Sequence, residues 1–185
     1  KVALLDDDGK PVPHGEAGEI CARGVLVSHS YFEKPEETAE ARKFGWHHTG
    51  DVGKFDDEGF FYFVDRKKDY LRRRGENISS FEMESAFAKH PAILEVAVHA
   101  VPSDKGEDDV KVTAILRDGA SLKAEDLFLW STDVVPYYAL PRYIEFRTSM
   151  PKNPQGRVLK YQLRDEGKTS DTWDWEETDI KVAKR

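Results

Sequence analysis

Several common sequence features are missing from this 185-residue chain. Its single cysteine, Cys21, excludes an intramolecular disulfide and fits a reducing cytoplasm. No apolar run approaches the roughly 20 residues needed to span a bilayer. The chain opens on Lys1 rather than Met and carries no signal peptide, so we expect it to start inside a longer protein.

An excess of positive charge is missing too. Lys and Arg number 28 against 35 Asp and Glu, which gives a net charge of -7. This balance argues mildly against nonspecific binding to nucleic acid or to an anionic membrane. Hydrophobic residues make up 39% of the chain, with ten Phe, seven Tyr and four Trp, enough for a core. The length fits one domain, or one domain and part of another.

The first 65 residues have the pattern of β structure. Residues 2–5 predict a short strand before a turn of three Asp and a Gly. Residues 20–27 predict a second strand that is broken at Arg23-Gly24. Residues 35–41 begin with Pro and predict about two helical turns. Residues 52–55 and 60–64 flank an acidic, glycine-ended turn and predict a β-hairpin. We therefore expect several strands of a small sheet or barrel.

A boundary falls at residues 65–69, where five consecutive residues are charged. Beyond it, Ser79 and Glu82 form a capping box that predicts a helix start. One face of that helix, at positions i, i+3, i+4 and i+7, carries Met83, Ala86, Phe87 and His90.

The rest of this second region alternates between the two element types. Residues 93–101 and 110–116 alternate apolar and polar side chains, which predicts half-buried strands. Residues 123–134 predict a helix, and residues 143–146 a further short strand. The fold class expected for the whole chain is α+β.

One pair of residues indicates nucleotide binding. Asp51 follows Gly50, whose missing Cβ permits unusual backbone geometry, and its carboxylate can accept hydrogen bonds from two vicinal hydroxyl groups. Arg66 adds a planar, permanently charged fork that can reach the same sugar or a phosphate. A carboxylate and an arginine at a loop–strand junction predict a ribose clamp.

Four ordered motifs extend this indication to residues 1–167. They are GEAGEI with Arg23-Gly24, the WHHTGD segment at 46–51, the charged run 65–69 with RGENI at 74–78, and PKNPQGRV at 151–158. Together they resemble the adenylate-forming superfamily of acyl-CoA synthetases, beetle luciferases and adenylation domains. The wording around 60–66 and 75–79 is most similar to the crotonobetaine/carnitine–CoA ligase branch.

The resemblance implies a domain plan and a reaction. Residues 1–65 would end a larger N-terminal AMP-binding domain as an incomplete β subdomain. Residues 66–168 would form the mobile C-terminal α+β domain, a short mixed sheet flanked by helices, and residues 169–185 a tail. The family activates a carboxylate with ATP to an acyl-adenylate and then transfers the acyl group to CoA.

The resemblance also assigns roles to residues. It implies ATP or AMP binding by Thr49, Asp51 and Arg66, and a hinge at Lys68. It implies CoA binding by a segment that consists of Arg74, Gly75, Glu76 and Asn77.

The position of the family's catalytic lysine holds Arg157. Arginine keeps the charge but changes its reach and geometry. Lys160 is the nearest lysine, so Arg157 and Lys160 are both candidate catalytic cations.

The implied cofactors are ATP, CoA and Mg²⁺, and the implied substrate is a small-molecule carboxylate. The phosphate loop, acyl pocket and magnesium-binding glutamate of the family lie upstream of these motifs. We therefore expect the chain alone to be inactive and Mg²⁺ to be held mainly elsewhere. An alternative is a non-catalytic homologue that acts as a binding or regulatory module.

Other readings are weaker. Adjacent His47 and His48 point different ways, and the lone cysteine makes no ligand cluster, so we expect no metal site. The stretch 66–74 is rich in Lys and Arg, but the overall net charge of -7 argues against nucleic-acid binding. Trp173 and Trp175 are expected to anchor the acidic tail by packing, with a partner surface as the alternative.

Overall fold

The computed structural model describes residues 1–103 and 106–183. The chain divides into two compact units, the first comprising Lys1–Lys68 and the second starting at Asp69. Helices and sheets are mixed, so the predicted α+β class is confirmed. In the described part of the chain, no helix has both the length and the apolar character that crossing a membrane requires.

The first unit is a four-stranded antiparallel sheet. Its strands lie in chain order: β1 (Val2–Leu5), β2 (Gly18–Ala22), β3 (His47–Phe55) and β4 (Phe61–Arg66). One short helix, α1 (Pro35–Glu40), begins at a proline as the sequence predicts.

The predicted β-hairpin is confirmed as β3 and β4. Between the two strands, the Asp56 carboxylate accepts hydrogen bonds from the amides of Glu58 and Phe60 at 3.0 and 2.9 Å. The turn is thus held by an acidic side chain, and Gly59 completes it with a φ of +84°.

The strand predicted over residues 20–27 is wrong beyond Ala22. The Arg23 amide makes the last contact of this edge, a 2.8 Å hydrogen bond to the carbonyl of Lys1. Val25 and Leu26 are 97% and 98% exposed, in a loop outside the sheet. Their β-branched and apolar character raises strand propensity but cannot replace a neighbouring strand.

The second unit holds a hairpin, a four-stranded mixed sheet and three helices. In chain order these are β5 (Leu71–Arg73), β6 (Glu76–Ile78), α2 (Ser80–Phe87), β7 (Ile93–Pro102), β8 (Asp108–Leu116), α3 (Ala124–Ser131), β9 (Tyr143–Phe146), α4 (Lys160–Glu166) and β10 (Trp173–Asp174). The sheet order is β10-β9-β8-β7, with β8 and β9 parallel and the other pairs antiparallel.

Apolar side chains cover both faces of this sheet. The larger core joins α2 and α3 to the sheet through residues that include Phe87, Val112 and Phe128. A smaller cluster places Leu163 of α4 against Ala97 of β7. The predicted capping box is confirmed in part by the Glu82 amide, which donates to Ser79 Oγ at 3.2 Å.

The prediction that β8 is half-buried is wrong. Its polar residues Asp109, Lys111 and Thr113 are as buried as the apolar residues between them. Lys111 Nζ donates to Glu145 Oε2 at 2.6 Å and to the carbonyl of Gly167 at 2.7 Å. The polar face of the strand is therefore an internal ion-pair network beneath the end of α4.

The tail packs onto the same sheet. Trp173 and Trp175 lie 5.4 and 4.6 Å from Phe128, measured between ring centroids. Asp174 of β10 binds Arg142 with an Nε–Oδ1 distance of 3.2 Å. The prediction that the tryptophans anchor the tail by packing is confirmed.

We predict that Glu145→Gln lowers the free energy of unfolding at pH 7 by about 3–5 kcal/mol, since it leaves the Lys111 ammonium buried without its partner. Urea unfolding followed by tryptophan fluorescence measures this change. Burial by itself would raise the pKa of Glu145, but hydrogen bonds led by that from Lys111 lower it from 4.5 to about 2. The wild-type advantage should therefore be full above about pH 4.5 and disappear as the pH falls towards 2.

The control for this prediction is Glu125→Gln, at an exposed position in the first turn of α3. It should change stability by about 0.5 kcal/mol or less. Equal effects of the two substitutions would contradict a stabilising role for the buried pair.

Candidate functional site

The predicted nucleotide residues lie at a β-bulge in the first unit. Between the pairs Cys21↔His48 and Glu19↔Val52, β3 has three residues where β2 has one, Ile20. Thr49, Gly50 and Asp51 therefore bulge out of the β2–β3 ladder. Gly50 has a φ of +75°, a conformation that glycine adopts without strain. Such bulges re-aim side chains and are over-represented beside active sites.

Asp51 and Arg66 are brought together by strand pairing. They are directly opposed in the β3–β4 register. Arg66 Nε lies 3.5 Å from Asp51 Oδ1, and the two side chains are 48% and 37% exposed. A carboxylate and a guanidinium thus face solvent side by side, with hydrogen-bonding capacity left for a ligand.

The hydroxyl group of Thr49 makes its hydrogen bonds within the bulge. Its hydroxyl donates to the carbonyl of Ile20 at 2.8 Å and accepts a hydrogen bond from the Asp51 amide at 3.1 Å. These contacts connect β2 to the backbone of Asp51. The geometry supports a role for Thr49 in shaping the bulge.

A buried carboxylate lies behind the bulge. Glu19 is 6% exposed, and its Oε1 accepts the Gly50 amide at 3.0 Å. Its Oε2 lies 2.9 Å from Lys67 Nζ and 3.0 Å from His48 Nδ1. Burial by itself would raise the pKa of Glu19, but the hydrogen bonds it accepts hold that pKa below its usual value.

Glu19, Cys21 and His48 bring their ligand atoms within 4.8 Å of one another, so the expectation that Cys21 joins no cluster of metal-ligating residues is wrong. This sulfur- and nitrogen-containing set does not fit Mg²⁺, which prefers oxygen ligands. Burial, with a smaller effect from the charge of Glu19, raises the pKa of the Cys21 thiol to about 11. Because the Lys67 ammonium already neutralises Glu19, the cluster is a poor fit for zinc as well.

The predicted hinge, Lys68, is the last residue of the first unit and lies in a short 3-10 turn, Lys67–Asp69. On one side, Lys67 is bound to Glu19 and to Asp7, the latter at 2.7 Å. On the other side, Asp69 binds Arg164 of α4 in the second unit at 3.2 Å. Each neighbour of Lys68 is thus fixed within its own unit.

The predicted CoA segment forms the turn between β5 and β6. Arg74 and Gly75 have φ values of +56° and +79°. Both backbone amides donate to the carboxylate of Glu107, that of Gly75 at 3.1 Å. The Arg74 guanidinium lies 4.6 Å from the ring centre of Tyr137, a cation–π contact. Glu76 and Asn77 are exposed on β6.

Arg157 lies on an ordered loop. Lys152 and Val158 pair as an isolated bridge, and Asn153 Oδ1 accepts the Arg157 amide at 2.9 Å. Gly156, with a φ of +81°, lets the chain turn back. The Arg157 side chain is exposed to solvent.

Lys160 has a different environment. At the start of α4, its Nζ lies 2.7 Å from both Ser80 Oγ and Glu84 Oε1 of α2. The side chain is 15% exposed. Lys160 therefore joins two helices, and of the two candidate cations Arg157 is the one open to a ligand.

Comparison with known proteins decides the family. The family model of the AMP-binding enzyme C-terminal domain matches residues 82–157. Over 165 residues the chain is 39% identical to a crotonobetaine/carnitine–CoA ligase of Salmonella arizonae. The aligned residues make up 87% of this chain and 32% of that ligase. It is also 39% identical over 165 residues to a long-chain-fatty-acid–CoA ligase of Escherichia coli, an alignment that covers 89% of this chain and 29% of that ligase.

The solved structures agree. The anthranilate CoA ligase AuaEII, in complex with anthranoyl-AMP, matches with a TM-score of 0.81 at 30% identity, covering 91% of this chain and 33% of that one. The chain belongs to the adenylate-forming superfamily. It spans about a third of the length of these superfamily relatives. The resemblance inferred from the four motifs is thereby confirmed, while the role of each site residue stays a prediction.

Sequence reasoning missed three residues that contact predicted site residues or their neighbours, one in the first unit and two in the second. Glu19 was visible only as a motif residue, Glu107 only as part of an acidic loop, and Tyr137 not at all. A charged residue between the apolar neighbours of a short strand was the available signal for Glu19, since such a charge is buried only when it is paired.

Proposed function

We propose that this chain supplies the carboxyl-terminal part of an AMP-forming acid–CoA ligase. The observation that carries the proposal is the exposed Asp51–Arg66 pair at a β-bulge, in a member of the adenylate-forming superfamily. Its relatives include enzymes named as CoA ligases, one of them solved with an acyl-AMP. ATP, CoA and a small carboxylic acid are the proposed reactants.

In the first half-reaction, a carboxylate oxygen of the acid attacks the α-phosphorus of ATP. The bond to the bridging oxygen breaks, and pyrophosphate leaves with its electron pair. Asp51 accepts hydrogen bonds from the ribose hydroxyl groups, and Arg66 holds the same sugar or a phosphate. Arg157 offsets the charge that spreads over the phosphate oxygens in the transition state.

In the second half-reaction, the CoA thiol loses its proton and attacks the acyl carbon, so that a thioester forms and AMP leaves. The turn formed by Arg74, Gly75, Glu76 and Asn77 contacts the CoA arm. Rotation at Lys68 exchanges the two conformations, because Lys67 and Asp69 are each bound within their own unit. Mg²⁺ is held outside this chain, and the chain alone is inactive.

Asp51→Ala tests nucleotide binding. A hydrogen bond to a charged group contributes about 1.5–3 kcal/mol, so the KM for ATP in the full-length enzyme should rise about tenfold or more. Pyrophosphate exchange measures it, after screening carboxylic acids that include crotonobetaine, carnitine and long-chain fatty acids. Asp57→Ala removes a fully exposed carboxylate of the same hairpin and serves as the control. Unchanged ATP kinetics in Asp51→Ala would refute the assignment.

Lys68→Pro tests the hinge. Proline fixes φ near −65° and should trap one conformer, so we expect pyrophosphate exchange to persist while thioester formation is lost. Lys68→Ala removes the same side chain without restricting φ and should retain both half-reactions. If the proline variant loses both half-reactions by the same factor, the rotation occurs elsewhere.

Arg157→Ala tests the unusual cation. It should slow adenylation about a hundredfold or more, because loss of one transition-state donor costs about 2.7–4 kcal/mol. Thioester formation from a pre-made acyl-adenylate should change far less, and Arg157→Lys should restore much of the first step. Single-turnover kinetics separates the two steps.

Lys160→Met is the matched comparison for Arg157→Ala. It breaks the ion pair with Glu84 and should lower stability, while the folded fraction keeps its adenylation rate. A normal rate in Arg157→Ala together with a lost rate in Lys160→Met would transfer the role to Lys160.

A further inference from the structure

Glu19 uses both carboxylate oxygens to connect two places along the chain. Oε1 accepts the amide of Gly50, the residue directly before Asp51, at 3.0 Å. Oε2 accepts Lys67 Nζ, from the residue directly before the predicted hinge, at 2.9 Å. A single buried side chain thus holds the bulge and the end of β4 together.

The negative charge of Glu19 holds the Lys67 ammonium in place. Lys67 is 43% exposed, and its other partner, Asp7, is 89% exposed. Ion pairs between such exposed groups contribute little, so Glu19 is the partner that fixes the ammonium. Burial alone would lower the pKa of Lys67, but its bonds to Asp7 and Glu19 raise it, so the lysine stays charged.

The hydrogen bond from Gly50 to Glu19 fixes the backbone directly before Asp51, and this backbone sets the direction of the Asp51 side chain. Gly50 has a φ of +75° and sits inside the bulge, so its amide is outside the regular ladder. A donor of this kind needs a fixed acceptor, and Glu19 provides it from the protein interior. Displacing Gly50 would displace the carboxylate of Asp51 relative to Arg66.

We propose that Glu19 is a positioning residue for the nucleotide site, which aims Asp51 through the Gly50 amide and anchors Lys67 beside the hinge. The proposal rests on the function proposed above and extends it to a residue that itself has no ligand contact. It gives the chain one rigid support for the ribose clamp and for the fixed end of the rotating segment.

The experiment compares Glu19→Gln with Glu16→Gln in the full-length enzyme. Both remove one negative charge from the same turn and strand, but Glu16 is exposed. Glutamine cannot serve Gly50 and Lys67 at once with its single acceptor oxygen. We expect Glu19→Gln to raise the KM for ATP about tenfold and to leave the KM for CoA unchanged, since one bond to a charged group is lost. Glu16→Gln should alter neither value.

A double variant shows whether Glu19 acts through Asp51. If it does, Glu19→Gln combined with Asp51→Ala should have the same ATP KM as Asp51→Ala alone. The proposal would be overturned if the increases in ATP KM of the two single variants multiply in the double variant. Equal ATP KM values for the Glu19 and Glu16 variants would also overturn it. Should Glu19→Gln fail to fold, adding Lys67→Met removes the unpaired ammonium, and the same comparison is made in that background.

Hydrogen exchange at the Gly50 amide needs no activity and is measured in this chain. Faster exchange in Glu19→Gln than in Glu16→Gln supports the proposal, and equal rates overturn it. If wild-type protein shows no pyrophosphate exchange with any acid, the proposed function has failed, while this amide still decides whether Glu19 holds the bulge.

Discussion

The ion pair between Lys111 and Glu145 determines how the second unit is assembled. A charge buried in the middle strand of a sheet must be paired, and the partner is on the parallel neighbour β9. The same ammonium binds the carbonyl of Gly167 at the end of α4, and Thr172 of the tail at 3.1 Å. The position of α4, and so of the loop with Arg157 that leads into it, follows from this network.

The first unit applies the same physics on a smaller scale. Glu19 is buried beside the bulge and is neutralised by Lys67. The interaction crosses 48 residues of sequence and ties the start of β2 to the end of β4. Both units therefore depend on a buried carboxylate and a lysine, and in both the pair lies close to a segment with a proposed role in catalysis.

Local patterns predicted the elements whose causes are local. Strand β1 and the capping box at Ser79 depend on neighbouring residues, and both were found from the sequence. The Asp51–Arg66 pairing follows from the hairpin, so the sequence placed it correctly. The partners of Glu19 lie 29 to 48 residues away, which no local pattern reveals.

The two wrong predictions, of a half-buried β8 and of a strand at residues 25–26, also arise because a local pattern does not show distant partners. The alternation of β8 looked like a solvent-facing strand because nothing local shows that α4 and the tail cover its polar side. Val25 and Leu26 looked like strand because nothing local shows where the neighbouring strand ends. Burial and pairing are properties of the assembled fold, and propensity alone does not contain them.

The guanidinium at Arg157 has a chemical consequence if the protein handles activated acyl groups, as proposed above. Thioesters and acyl phosphates acylate amines, and acylation removes the charge of a lysine. A guanidinium stays protonated throughout the physiological range and is a poor nucleophile. The exposed cation of this loop therefore withstands accidental acylation by the very intermediates and products expected around it, and its charge is permanent rather than adjustable.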